Sequence, residues 1–206
     1  MIKSIIFDWS GTLSDNFHLF CKVVEKICEV KGKTPLSIEE IRETFDLPYM
    51  KFWNKHFPKM TKEEEEKLYS KYIHQIGTPD VFPQVSETLQ KLHSDGIRLF
   101  VVSSDLKTTL LPEIQKAGLE NVFSEVKDFV HEKEHAISEL IQKYNLNPKE
   151  TAFVGDTSGE VLAGKKAGVK TISITWGFSD RKRLIEAKPD ALIDSIIELE
   201  KALKTL

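Results

Sequence analysis

Short apolar runs alternate along most of this chain with amphipathic stretches of about ten to fifteen residues, the pattern of β-strands separated by crossover helices. Strands are expected over residues 2–10 ("IKSIIFDWS"), 97–104 ("IRLFVVSS"), 151–156 ("TAFVGD"), 169–176 ("VKTISITW") and 190–194 ("DALID"). Their unbroken apolar character fits strands covered on both faces. Helices are expected over 83–95, 106–117, 134–144, 160–167 and 196–206, with Gly96, Gly118 and Gly168 as stops and Pro148 marking a turn. This is an α/β pattern.

From about residue 16 to residue 80 the alternation stops. The segment is rich in helix formers and holds no clear strand, so it reads as a helical insertion. Ser37 with Glu40 and Thr61 with Glu64 have the spacing of capping boxes. The acidic run Glu63 to Glu66 then falls in first turns, where negative charge suits the helix dipole.

Composition narrows the class. A chain of 206 residues, 40% hydrophobic and 30% charged, is an ordinary globular protein. A net charge of -3 gives no electrostatic case for nucleic acid or an anionic membrane as partner. No apolar run approaches the roughly 18 residues of a membrane span. Cys21 and Cys28, seven apart on one helical pattern, read as two buried thiols rather than a bridge, which with the rest points to the cytoplasm.

Chemistry is expected where parallel strands end, because the crevice beyond their carboxyl ends holds the ligand. The first strand delivers Asp8, then Gly11 and Thr12; another delivers Ser103 and Ser104; a third delivers Asp156, with Glu160 four residues on. Carboxylates crowd together at low cost only around a cation, and hard oxygen ligands favour Mg2+. Hydroxyl and backbone donors beside them suit a phosphoryl group, with a lysine completing the charge balance.

The segments "FDWSGTLSD", "VVSS", a lysine ahead of a helix, and "VGDTSGE" follow in the order of the four motifs of the haloacid dehalogenase-like hydrolase superfamily, which the chain resembles over nearly its whole length. Within it the chain is similar to the phosphoglycolate phosphatase-like group, which inserts a helical cap where residues 16–80 fall. The resemblance implies a Rossmann-like, doubly wound parallel sheet formed by residues 1–15 and 81–206, a cap over 16–80, and a Mg2+-dependent phosphohydrolase acting on a small phosphorylated metabolite as monomer or homodimer. It implies Asp8 as the nucleophile that becomes an aspartyl-phosphate, with Asp8, the Ser10 carbonyl, Asp156 and Glu160 around the metal. Ser103 and Ser104, with the Gly11–Thr12 turn, would hold the phosphoryl group, and Lys133, or alternatively Lys127, would orient Asp8.

Ser10 departs from the family pattern, which has there an aspartate that protonates the leaving group and then activates water. Losing such assistance costs about 10²- to 10⁴-fold, or about 3 to 5 kcal/mol. Three readings follow. The protein is a slow phosphohydrolase in which Ser10 relays through water or another group helps, Asp15, His18, Lys51 and His56 being candidates. Or it resembles phosphonoacetaldehyde hydrolase, which has a small residue at this place and a cap lysine, here Lys51, forming a Schiff base. Or it binds phosphate without efficient turnover, as a regulatory protein. Lys51, Lys55 and His56 among Tyr49, Phe52, Trp53 and Phe57 form either a mixed cationic and apolar lid or the cap's own core. Trp9 either faces the cleft or packs beneath it, and Trp176 and Phe178 are expected as packing at the cleft edge.

Overall fold

In the computed structural model, which describes residues 1–206, the first apolar run forms the centre of the molecule. β1 (Ser4–Phe7) lies between β2 (Arg98–Val102) and β4 (Thr151–Gly155), with β3 (Phe123–Lys127) outside β2, and β5 (Lys170–Ile174) and β6 (Ala191–Ile193) outside β4. All neighbouring pairs are parallel. All six strands therefore deliver their carboxyl ends to one edge of the sheet.

Alternate residues of the central strands serve two cores. Ile5, Phe7, Val101 and Val154 pack against α5 (Val85–Ser94), α6 (Lys107–Lys116) and α10 (Leu199–Thr205). Ile6, Phe100, Val102 and Phe153 pack on the opposite face against α7 (Lys133–Lys143) and α8 (Ser158–Lys166). Helices on both faces of a parallel sheet make this a doubly wound, Rossmann-like α/β fold.

Four helices lie between β1 and α5: α1 (Phe17–Val30), α2 (Ile38–Thr44), α3 (Met50–His56) and α4 (Lys62–Ile76). They share a third apolar cluster that includes Phe20, Val24, Ile27, Phe52 and Trp53, and the sheet layer contributes Phe178 to it. The side chains of Ser37 and Thr61 accept from the N–H groups of Glu40 and Glu64, starting α2 and α4 where the sequence spacing expects. Cys21 and Cys28 are unpaired on α1, two helical turns apart and beyond disulfide reach. No helix is long and apolar enough to cross a membrane.

Three elements differ from the sequence reading. β3 is an edge strand whose sequence, FSEVK, carries charges at half-exposed positions, so it lacks an apolar run. α9 (Arg181–Ala187) is a short helix with only Leu184 buried, started by Asp180, and has too little apolar pattern to register. The last expected helix begins as a 3₁₀ turn over Ile196–Glu198 before α10.

Candidate active site

The floor of the cleft is built at the ends of β1 and β4. Asp8 follows β1 directly, its N–H donating to the Val154 carbonyl at 2.9 Å, which locks it to the neighbouring strand. Asp156 follows β4, and its Oδ2 accepts the Phe178 N–H at 2.6 Å. Glu160 is placed by the start of α8: Thr157 caps the helix, and Glu160 Oε2 reaches back to the N–H groups of Asp156 and Thr157 at 2.6 and 3.0 Å. Asp8, Asp156 and Glu160 are all buried, with carboxylate oxygens within 4.8 Å of one another.

Lys133, the first residue of α7, is the cation among them. Its Nζ donates to Asp8 Oδ1 and to Glu160 Oε1, both at 2.5 Å. Burial opposes its charge, but the two carboxylates outweigh that and hold the ammonium above its ordinary value. Lys127 instead pairs with Glu139 near the surface. Burial, reinforced by Glu160, pushes Asp8 and Asp156 well above the usual carboxylate range. One lysine among three buried carboxylates leaves an excess of negative charge, and the donor set is all oxygen, so the cluster fits a hard divalent cation such as Mg2+.

The turn after Asp8 comes close to this cluster. Gly11 has φ +74°, and a Cβ there would lie 2.5 Å from Asp156 Oδ2 and 2.3 Å from the Phe178 ring. Only glycine fits. Its N–H donates to the Ser14 carbonyl and Asn16 Oδ1, both at 3.0 Å, and the Thr12 N–H donates to the Trp9 carbonyl. The Gly11–Thr12 turn therefore spends its backbone donors within the loop, while those of Trp9, Ser10 and Ser104 enter no hydrogen bond. The Thr12 hydroxyl is within 3.5 Å of both Asp8 and Asp156.

Ser10 is joined to a residue that the sequence reading did not select. Its hydroxyl donates to Asp105 Oδ2 at 2.5 Å and accepts from Asn16 Nδ2 at 2.6 Å. The Ser103 hydroxyl donates to the same Asp105 oxygen at 2.7 Å, and the Asp105 N–H returns to Ser103 at 3.1 Å. Asp105 Oδ1 takes no hydrogen bond. The Ser104 hydroxyl turns to the Val130 carbonyl at 2.8 Å. Asp105 was legible only as an acid two residues past a strand-end serine, a signal that gains meaning once β2 is known to lie beside β1.

Asp8, Ser10, Ser103, Ser104, Asp105, Lys133, Asp156 and Glu160 line one cleft, with about 850 Å³ of empty space including its open mouth. The helical segment supplies the facing wall. Other candidates lie elsewhere. Asp15 and His18 are exposed, and His56 is buried within the helical layer, bonded to Thr44 at 2.8 Å. Lys51 is exposed and reaches Asp46 at 3.5 Å, because α3 turns Phe52, Trp53 and His56 inward and leaves Lys51 and Lys55 facing out. The cleft therefore holds no helical-layer lysine for a Schiff base. Phe52 and Phe57 are core; Tyr49 and Trp53 also reach the cleft. Trp9 packs beneath the floor, its Nε1 donating to buried Glu113 at 2.7 Å. Trp176 donates to the Thr12 carbonyl at 3.1 Å, and Phe178 joins the cleft wall.

A doubly wound sheet with an acidic cluster and one lysine at its carboxyl edge defines a class, and comparison with known proteins agrees. The model of the haloacid dehalogenase-like hydrolase family matches residues 5–174, and the chain belongs to that family, in its phosphoglycolate phosphatase-like group. It is 26% identical over 215 residues to a phosphoglycolate phosphatase of Synechococcus elongatus, covering 100% of this chain and 99% of that one. It is 27% identical over 208 residues to the pyrophosphatase PpaX of Oceanobacillus iheyensis, covering 96% and 95%. The fold is shared with the haloacid dehalogenase-like protein SP0104 from Streptococcus pneumoniae, at TM-score 0.84 and 22% identity over 97% of each chain. It is also shared with CbbY from Rhodobacter sphaeroides, at TM-score 0.81 and 17% identity over 99% and 100%.

Proposed function

We propose that the protein is a Mg2+-dependent phosphohydrolase that cleaves a small phosphomonoester through an aspartyl-phosphate on Asp8. The observation that carries this reading is Lys133 held at 2.5 Å from both Asp8 and Glu160, with Asp156 in the same cluster, on the floor of the cleft. Residues 16–80 act as a cap over the core formed by residues 1–15 and 81–206.

Asp8, Asp156 and the Ser10 carbonyl would hold the metal, with Glu160 completing its surroundings. When bound, Mg2+ offsets the repulsion between the nucleophile and an anionic phosphoryl group. Lys133 occupies Asp8 Oδ1 and leaves Oδ2 to attack phosphorus. The N–H groups of Trp9, Ser10 and Ser104, which have no partner within the chain, would bind phosphoryl oxygens. Attack forms the Asp8–phosphorus bond and breaks the ester P–O bond; water then attacks phosphorus and breaks the Asp8–phosphorus bond, releasing phosphate.

Asp105 supplies the carboxyl missing at position 10. The Ser10 hydroxyl is already committed to Asp105 and Asn16, so Ser10 positions the acid rather than moving the proton itself. The unbonded Oδ1 of Asp105 gives a proton to the leaving oxygen and takes one from the attacking water, so the cycle balances through one carboxyl.

The test is p-nitrophenyl phosphate hydrolysis with and without Mg2+. Turnover with Mg2+ and its loss in Asp8→Asn are expected; undiminished turnover in that variant removes Asp8 as nucleophile and this reading with it.

A further inference from the structure

The wall facing the phosphate site differs chemically from its floor. Tyr49, Trp53 and Tyr69 from the helical layer and Phe129 from the loop after β3 line the cleft, together with Glu65 and Glu66. No arginine lines the cleft, and Lys133, its one lysine, is spent on Asp8 and Glu160. A second negative group on a substrate would find no counter-charge there. It would also meet a carboxylate and the electron-rich faces of the rings.

His131 sharpens the point. Its ring lies 5.2 Å from that of Tyr49 and 4.6 Å from that of Phe129, lining the cleft, and neither ring nitrogen has a hydrogen-bond partner. Burial lowers its pKa, which favours the neutral ring with one nitrogen open as an acceptor. Glu66 Oε1 stands 3.8 Å from His131 Nε2 and 3.4 Å from the Tyr49 hydroxyl; its other neighbour is Lys62 at 3.6 Å, on the outer side of α4. Burial pushes the Glu65 carboxyl up to about 8, so at neutral pH it is a hydroxyl donor and acceptor rather than a second charge. An aromatic lining with one carboxylate and an imidazole whose acceptor nitrogen is unsatisfied is suited to a group with positive charge and N–H donors.

We infer that the substrate is a phosphomonoester of a small alcohol bearing a protonated amine, its ammonium held by Glu66, His131 and the surrounding aromatic rings while the phosphoryl group sits over Asp8. This rests on the phosphohydrolase reading for the floor of the cleft but concerns the opposite wall. It separates this chain from a preference for substrates with a second anionic group, such as phosphoglycolate or pyrophosphate.

The experiment compares 2-aminoethyl phosphate, phosphocholine, 2-hydroxyethyl phosphate, 2-phosphoglycolate and pyrophosphate as substrates of the wild-type protein with Mg2+. The expected kcat/KM is at least tenfold higher for 2-aminoethyl phosphate than for 2-phosphoglycolate, with the neutral ester between. Glu66→Gln shrinks that ratio several-fold. Phosphocholine below 2-aminoethyl phosphate supports the His131 contact, and phosphocholine above it overturns that contact. A ratio at or below one, or a ratio unchanged in Glu66→Gln, overturns the inference. Calorimetric binding of the same ligands to Asp8→Asn gives the ranking without turnover. Thus failure of p-nitrophenyl phosphate hydrolysis counts against the reaction, while tighter binding of 2-phosphoglycolate than of 2-aminoethyl phosphate counts against the substrate class.

Discussion

Under the proposed mechanism Ser10 leaves a proton-transfer role open, and Asp105, in the loop after β2, offers a carboxylate 2.5 Å from the serine hydroxyl. Asp105→Asn is therefore expected to lower turnover by about 10²- to 10⁴-fold and to let the phosphorylated enzyme accumulate, with the loss smaller for p-nitrophenyl phosphate than for an alkyl phosphate. Ser10→Asp in that background should recover part of the rate; quench-flow labelling and steady-state rates check both. Glu113 sets a separate dependence on pH. It is buried, accepts from Trp9 Nε1 and Ser14 Oγ at 2.7 Å each, and burial and then Asp105 raise its carboxyl to about 7. A raised value in the folded state means stability present below the unfolded value near 4.5 and lost as pH rises through about 7. Thermal melts should show that loss, on the order of 3 kcal/mol, and Glu113→Gln should flatten it. Asp8, Ser103, Asp156 and Glu160 could be selected from sequence because each falls at a strand end or a helix start, whereas Lys133 came only through the family resemblance, with Lys127 as the alternative. Asp105 and Glu113 could not, since their meaning depends on which strands and helices become neighbours.

Among the elements, α8 has the most direct tie to the site. Spacing in the sequence suggests capping boxes at Ser37 and Thr61, yet the reciprocal arrangement forms at Thr157, where Glu160 both caps the helix and holds Lys133. Thr157→Ala should cost about 0.5 to 2 kcal/mol in denaturant unfolding. It should also loosen Glu160, so that activity falls with little change in KM. The five strands with apolar runs were legible from periodicity alone. β3 was not, because an edge strand needs burial on fewer sides and tolerates Glu125 and Lys127. The order β3-β2-β1-β4-β5-β6 was likewise beyond periodicity, which marks a strand without naming its neighbours. For Lys51 the difficulty was helical phase: α3 spans only Met50–His56, and its inward face is decided by the surrounding helices.

At the scale of the whole molecule, stability and function are set against each other at the carboxyl edge of the sheet. Three carboxylates buried with one ammonium repel one another in the absence of a metal, and that repulsion is a cost to folding. Anything that binds only the folded cluster recovers stability by mass action, about 2.7 kcal/mol at a hundredfold excess over its dissociation constant. In EDTA, Asp156→Asn should therefore melt above the wild type, since it replaces a carboxyl whose ionisation burial and Glu160 oppose by a neutral amide whose oxygen still accepts the Phe178 N–H. With saturating Mg2+ the order should reverse, the wild type gaining several degrees and the variant little. Calorimetric melts of both proteins with and without Mg2+ make the comparison. A wild-type melting temperature that ignores Mg2+, or an Asp156→Asn protein stabilised to the same extent, would take the metal away from this cluster.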